Sequence, residues 1–396
     1  MIEALFLLLP VAAASGWLLG RRETRGKGDG VGPTHPDFLR GLNYLLEEQP
    51  DKALDMFLKL AEVDGETVET HLALGSLFRR RGEVDRAIRI HQNLVERRNL
   101  SPDLRGFALF ELGQDYMRAG LLDRAEGLFL ELVELRLHSQ RALQSLREIY
   151  QQERDWSRCL EVAEQLKPLT DQSMAVEIAQ YHCELAEDAR RKGDAPSARA
   201  QLSLAQRADP NGVRAAMLEG FMALEEDDAE RAVVLFRRVA DRGGAYVSEI
   251  LPALIEAMGR LGEDDVIGQL ETLAGRYASP PLMLSLGELV ARARGPEAAL
   301  ELLSGYLARH ADLAVLERFL DLQAREPDPK ARTQYRAGVA LGVARHLLLR
   351  QPVYQCEQCG FQARSLHWQC PSCKSWGTIV SVLPEPIHGE APRQLA

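Results

Sequence analysis

The sequence predicts an all-α solenoid of stacked helical hairpins, with one apolar segment before it and a small cysteine ribbon after it. Three observations lead there: a side-chain pattern recurring about every thirty-four residues, an uncharged run near the N-terminus, and two Cys-x-x-Cys pairs near the C-terminus. The 396 residues exceed one ordinary compact domain but suit a repeat array. Hydrophobic residues at 46% and charged ones at 27% describe soluble protein over most of the length, and the scarcity of aromatics beside abundant Ala, Leu, Arg and Glu favours helix. A net charge of −10 supplies no electrostatic footprint for phosphate backbones, so no nucleic-acid partner is expected.

Residues 1–20 form the first element. Ala4 to Gly20 is seventeen residues without a charge, about 26 Å as a helix and close to the ~30 Å hydrocarbon core. Trp17 suits a membrane interface, and Pro10 is tolerated in a spanning helix. Positive charge follows the run, at Arg21, Arg22, Arg25 and Lys27, rather than preceding it. That order opposes a secretory signal, although Ala12–Ala14 mimics a cleavage site. It predicts a single-pass anchor with the body of the chain cytoplasmic. Residues 21–35 read as a flexible glycine-rich linker; no G-K-[ST] closes a phosphate loop.

Residues 36–310 carry the repeat. Gly41, Gly75 and Gly113 are each followed after three residues by an aromatic (Tyr44, Phe78, Tyr116) and after twelve by alanine (Ala53, Ala87, Ala125). Sixteen after them come Phe57, His91 and Phe129. The frame continues from Arg147, Ala186, Gly220, Leu254 and Gly287, with Cys159, Ala198, Ala232, Val266 and Ala299 twelve later. Turn signals at Gly82, Gly120, Gly193, Gly262 and Gly295 mark the reversals. Small residues at fixed offsets let two antiparallel helices approach closely, and no such pair buries its apolar faces without a neighbour. Arg147 and Leu254 break the pattern in the fourth and seventh repeats. Residues 311–351 read as a degenerate ninth repeat around Phe319, Leu322, Ala331 and Tyr335, with a capping helix over 332–350. Cys159 and Cys183 read as small core residues.

The pattern resembles the tetratricopeptide repeat (TPR) family over about Pro36 to Leu307, eight repeats in register. The resemblance implies a superhelical array that binds proteins or peptides, the first helix of each repeat lining the concave face. Carried onto this sequence, it gives a polar stretch for a partner: Arg141, Gln144, Glu148, Gln151, Glu187, Arg190 and Arg214. It also gives an apolar stretch for internal docking: Phe221, Leu224, Ile255 and Met258. A purely structural spacer is the plainer alternative.

Residues 352–383 hold Cys356, Cys359, Cys370 and Cys373. Two Cys-x-x-Cys turns present four thiolates to one ion, a closed tetrahedral site with no position for water or substrate. Tyr354, Phe361, Trp368, Trp376, Ile379 and Val382 are the expected ribbon core, and His367 is surplus as a ligand. The knuckles resemble those of rubredoxin, but Lys374 stands where that family usually has glycine and the spacing between pairs is short. Both departures favour structural zinc over redox iron. The Pro-rich tail, 384–396, reads as frayed.

No H-E-x-x-H or G-x-S-x-G motif occurs, so no enzyme is expected. The order anchor, linker, TPR array, rubredoxin-like zinc ribbon is similar to the lipopolysaccharide assembly protein B family. That resemblance implies an inner-membrane, cytoplasm-facing adaptor that regulates lipopolysaccharide synthesis. Its implied partners are the membrane-bound AAA protease FtsH, the lipid A pathway deacetylase whose degradation it promotes, and other lipopolysaccharide assembly proteins. A generic TPR scaffold or chaperone for envelope complexes shares the same features, and an iron-bearing electron carrier is a further alternative.

Overall fold

The computed structural model describes residues 68–325 and 351–382 apart from a few single positions, with scattered residues between 40 and 56 and between 340 and 348. The expected anchor and linker lie outside the described residues, as do most of the first repeat, Ala331 and Tyr335 of the ninth, and the tail. Among the described residues no helix is long and apolar enough to cross a membrane. Two compact units divide the chain, one ending at Glu153 and one beginning at Arg154.

The first unit contains α1 (Val68–Arg80), α2 (Val84–Val95), α3 (Pro102–Arg118), α4 (Leu122–Glu134) and α5 (Ser139–Glu153). The offset pattern has a direct steric meaning here. A Cβ on Gly113 would stand 2.6 Å from Phe129 Cε1, and one on Gly75 would collide with the His91 ring. The residue sixteen places after each glycine therefore lies flat on bare backbone, which is why the position must be small. Gly82 and Gly120 reverse the two hairpins at φ of 83° and 75°, a conformation that strains side chains carrying a Cβ.

His91 takes a place that Phe129 holds one repeat later, and it is fully buried. Its Nδ1 lies 2.5 Å from Asp115 Oδ2, and Asp115 also accepts from Arg79 at 2.7 Å. Arg79 in turn reaches Glu111 at 2.6 Å. The network ties α1, α2 and α3 together through buried polar groups.

The second unit contains α6 (Trp156–Leu166), α7 (Ala175–Arg191), α8 (Ala195–Ala208), α9 (Val213–Glu225), α10 (Ala229–Asp241), α11 (Val247–Arg260), α12 (Val266–Arg276), α13 (Pro280–Arg294), α14 (Pro296–Leu307) and α15 (Leu313–Arg325). Aspartates start several second helices: Asp194, Asp228 and Asp265 each accept a backbone N–H three residues on. Cys159 and Cys183 are buried, and burial pushes the Cys183 thiol up to about 12. Phe319 and Leu322 on α15 close the last apolar cluster.

The pairs α9–α10 and α13–α14 repeat the glycine contact, with Gly220 under Phe236 and Gly287 under Leu303. In the seventh repeat Leu254 replaces the small residue, and both Leu254 and its counterpart Leu270 are buried. A cavity of about 480 Å³ lies beside Leu254, Met258, Leu270 and Leu273.

A three-stranded antiparallel sheet of order β2-β1-β3 closes the unit: β1 (Tyr354–Cys356), β2 (Gln362–Ala363) and β3 (Ile379–Ser381). Tyr354, Cys356, Cys370 and Ile379 form its core, with Phe361 and Leu366 packed against them. Three expected core residues behave otherwise. Trp368 and Trp376 turn towards the helices, and Val382 is exposed, because a sheet this small has only one interior layer.

Candidate metal centre and partner-binding face

The two cysteine pairs are the same turn made twice. Gly360 N–H donates to the Cys356 carbonyl at 2.9 Å and Lys374 N–H to that of Cys370 at 2.9 Å. Cys356 and Cys370 each donate onward, to Phe361 and Ser375. Gly360 has φ of 75°, and Lys374 adopts 61° in its place, so the lysine occupies the left-handed conformation that glycine takes without strain.

The four Sγ atoms lie within 4.8 Å of one another. Cys356 to Cys373 and Cys359 to Cys370 are both 3.7 Å. A tetrahedral ion with metal–sulfur bonds of about 2.3 Å requires sulfur–sulfur edges of about 3.8 Å, so the donor set fits one such ion. A hydrogen bond with Thr378, aided by the backbone N–H groups of Cys359 and Gln358, draws the Cys356 thiol down to about 6. Burial pushes Cys370 up to about 11. Four thiolates so close together require a cation to offset their repulsion. When bound, the metal supplies cross-linking of the two turns. The protein's own contribution is to aim the four sulfurs at one point.

The ribbon is seated on the helices of its unit by aromatic rings. Trp376 meets Trp156 and Tyr181 edge-on, each at 5.9 Å, while those two stack on each other at 6.0 Å. Trp368 stacks on Tyr246 at 5.5 Å and covers the Arg214 guanidinium at 5.2 Å. Tyr354 donates its hydroxyl to Glu249, and Ser381 donates to the Ala245 carbonyl at 2.8 Å. Sequence reasoning missed Trp156, Tyr181, Tyr246 and Glu249. The available signal was that aromatics are scarce in this chain, yet three sit on one unit where the repeat pattern does not ask for them.

Arg214 was expected on an open polar face and is instead buried. It donates to Gln180, Glu184 and Glu187 at 2.9, 2.8 and 2.9 Å beneath Trp368. Burial opposes its charge, but the two carboxylates outweigh that and raise its pKa. Glu187 is thereby committed internally, and Arg190 is paired with Glu225. Leu224 and Met258, expected on a docking face, are also buried; they share one core cluster with Phe236, against which Phe221 and Trp368 pack. Ile255 packs half-buried on the next cluster.

In the first unit the structure brings Arg141, Gln144 and Glu148 to one cavity of about 270 Å³, with Arg79, Phe110 and Gln114. Arg141 lies over the Phe110 ring at 4.2 Å. Burial raises the Glu148 carboxyl above its ordinary value, although Arg147 opposes this. Gln151 is half-buried outside that lining. Arg80 and Arg118, missed from the sequence, line an adjoining cavity of about 370 Å³.

Fold and site together define a tetratricopeptide-repeat scaffold carrying a four-cysteine metal ribbon. A rubredoxin metal binding domain profile matches residues 354–381, and a tetratricopeptide repeat profile matches residues 70–103. Lipopolysaccharide assembly protein B of Escherichia coli (strain K12) is 38% identical over 391 residues, covering 98% of this chain and 99% of that protein. Its namesake from Haemophilus influenzae is 33% identical over 393 residues, covering 96% and 98%. The chain belongs to the lipopolysaccharide assembly protein B family. Among solved structures, the C-terminal part of a TPR repeat-containing protein from Cytophaga hutchinsonii aligns with a TM-score of 0.42 at 13% identity, over 60% of this chain and 94% of that one.

Proposed function

We propose that this chain is a non-enzymatic adaptor of the bacterial inner membrane that regulates lipopolysaccharide synthesis. In this reading residues 1–20 anchor it, the body faces the cytoplasm, and the array presents the lipid A pathway deacetylase to the membrane protease FtsH. The observation that carries the reading is 38% and 33% identity, over nearly the whole length, to proteins named for lipopolysaccharide assembly. The fold is consistent with it. A closed four-sulfur site leaves no coordination position for catalysis, and an array with an open polar cavity suits protein recognition. Zinc is favoured over iron as the ion, since the ribbon is welded to the helices by Trp368 and Trp376 in the manner of a structural part.

The test is affinity purification of the full-length membrane form, with co-purifying proteins and metal content read on one sample. Zinc together with FtsH and the deacetylase supports the adaptor. Iron, or a partner set lacking both proteins, overturns it in favour of an electron carrier or a generic scaffold.

A further inference from the structure

We infer that the first-helix face of the unit ending at Glu153 is a docking channel for an acidic, extended peptide segment, with Arg80, Arg118 and Arg141 as its anion-binding groups. The inference rests on the adaptor reading and names the chemistry of the segment that the array would hold.

The two cavities of this unit adjoin, sharing Arg79 and Gln114. Their charges are not balanced. Arg79 is spent on Glu111 and Asp115. Arg80, Arg118 and Arg141 have no carboxylate partner among the described residues, and the one unpaired carboxyl in the lining is Glu148. In a chain of net charge −10 this face is a local reversal of sign, and opposite charge is what it would attract.

The arginines are placed by the repeat. Arg80 and Arg118 each stand five residues after the small anchor, Gly75 and Gly113, so successive repeats present the same cation. Where an arginine recurs at this position further along, it is neutralised within its own helix: Arg191 pairs with Asp188, and Arg292 with Glu288 at 2.6 Å. Arg214 is neutralised and covered as well. Among the described residues, the first-helix arginines of the second unit have carboxylate partners, whereas Arg80, Arg118 and Arg141 of the first unit's cavities do not. Phe110 holds the Arg141 guanidinium against its ring, which fixes the fork before a ligand arrives and lowers the ordering cost. Gln144, with no partner among the described residues, offers an amide to a peptide backbone. Cavities of about 370 and 270 Å³ each admit one or two side chains, which suits an extended segment rather than a folded surface.

The experiment measures fluorescence anisotropy on the full chain with three labelled probes. These are a dodecapeptide with Asp at every third residue of a Gly-Ser background, its Lys counterpart, and a single-stranded RNA dodecamer. The Asp peptide is expected to bind at least tenfold more tightly than either alternative, and more weakly as salt rises. Arg118→Glu combined with Arg141→Glu is expected to weaken it roughly tenfold, while Arg292→Glu, outside the channel, leaves it unchanged; circular dichroism melts verify that each variant is folded. Equal binding of Asp and Lys peptides, preference for RNA, no binding at millimolar peptide, or equal effects of the two kinds of variant each overturns the inference. If the double variant still captures FtsH and the deacetylase in full, the adaptor reading survives and this channel fails; if neither protein is captured by the wild type, the adaptor reading fails on its own.

Discussion

Trp368 lies on Tyr246 with ring centroids 5.5 Å apart and 20° between their planes, joining the loop between the cysteine pairs to the residue that precedes α11. The partner tryptophan, Trp376, sits edge-on to Trp156. Three of the four tryptophans of the chain therefore meet where the ribbon is seated.

Those indoles make ribbon release directly visible. Chelation of the metal is expected to shift tryptophan emission to the red and raise its accessibility to quencher, as buried rings enter water. Cys356→Ser should reproduce the shift in the untreated protein. Emission that stays unchanged while metal content falls to zero would show that seating does not depend on the ion.

Trp376→Ala removes a ring that is nearly fully buried against Trp156 and Tyr181. A loss of about 3–5 kcal/mol is expected in chemical denaturation, with metal retained because none of the four sulfurs is touched. Limited proteolysis should cut first near the ribbon.

Lys374→Gly relieves a left-handed backbone (φ 61°) that the equivalent Gly360 adopts freely. A gain of about 1 kcal/mol is expected, read as slower metal loss to a competing chelator. Slower loss should not accompany Lys374→Ala, which keeps the Cβ.

Two glycines one helix apart should answer oppositely to the same change. Gly113→Ala drives a methyl into Phe129 and is expected to cost about 1–3 kcal/mol. Gly127→Ala, exposed on α4 with nothing near its Cβ, is expected to gain about 0.5–1 kcal/mol. Thermal melts separate the two.

Glu111 gives the fold a pH-dependent component. Burial raises its pKa, but the hydrogen bond and charge of Arg79 outweigh burial and hold it below the ordinary value of 4.5. A depressed carboxyl contributes stability above its unfolded value and loses it as pH falls through the lower folded value. Denaturation midpoints of the wild type should therefore drop more steeply below pH 4.5 than those of Arg79→Met, which lacks the pair. Parallel slopes would contradict it.

Much of this architecture was legible because the repeat is a steric rule. Gly113 and Phe129 sixteen residues later announce a contact that the backbone then makes, and the Cys-x-x-Cys turns announce their sulfurs in the same local way. What stayed hidden is long-range and depends on the ribbon. Arg214 reads as a surface cation by position, and its burial is decided by Trp368, 154 residues away. Arg80 and Arg118 are inconspicuous in the sequence for a different reason: a lone arginine on a helix is ordinary, and only the pairing of Arg191 with Asp188 and of Arg292 with Glu288 makes their isolation informative.

The ribbon touches three successive first-helix regions, through Tyr181 on α7, Arg214 on α9 and Glu249 on α11. A stack of helical hairpins behaves as a spring, because each pair contacts only its neighbours and small rotations add along the axis. Bolting one rigid plate across three turns of that spring removes its give there. Between α7 and α11 the winding is set by the plate's own dimensions, so a force that stretches or twists the array must be absorbed by turns the plate does not cross.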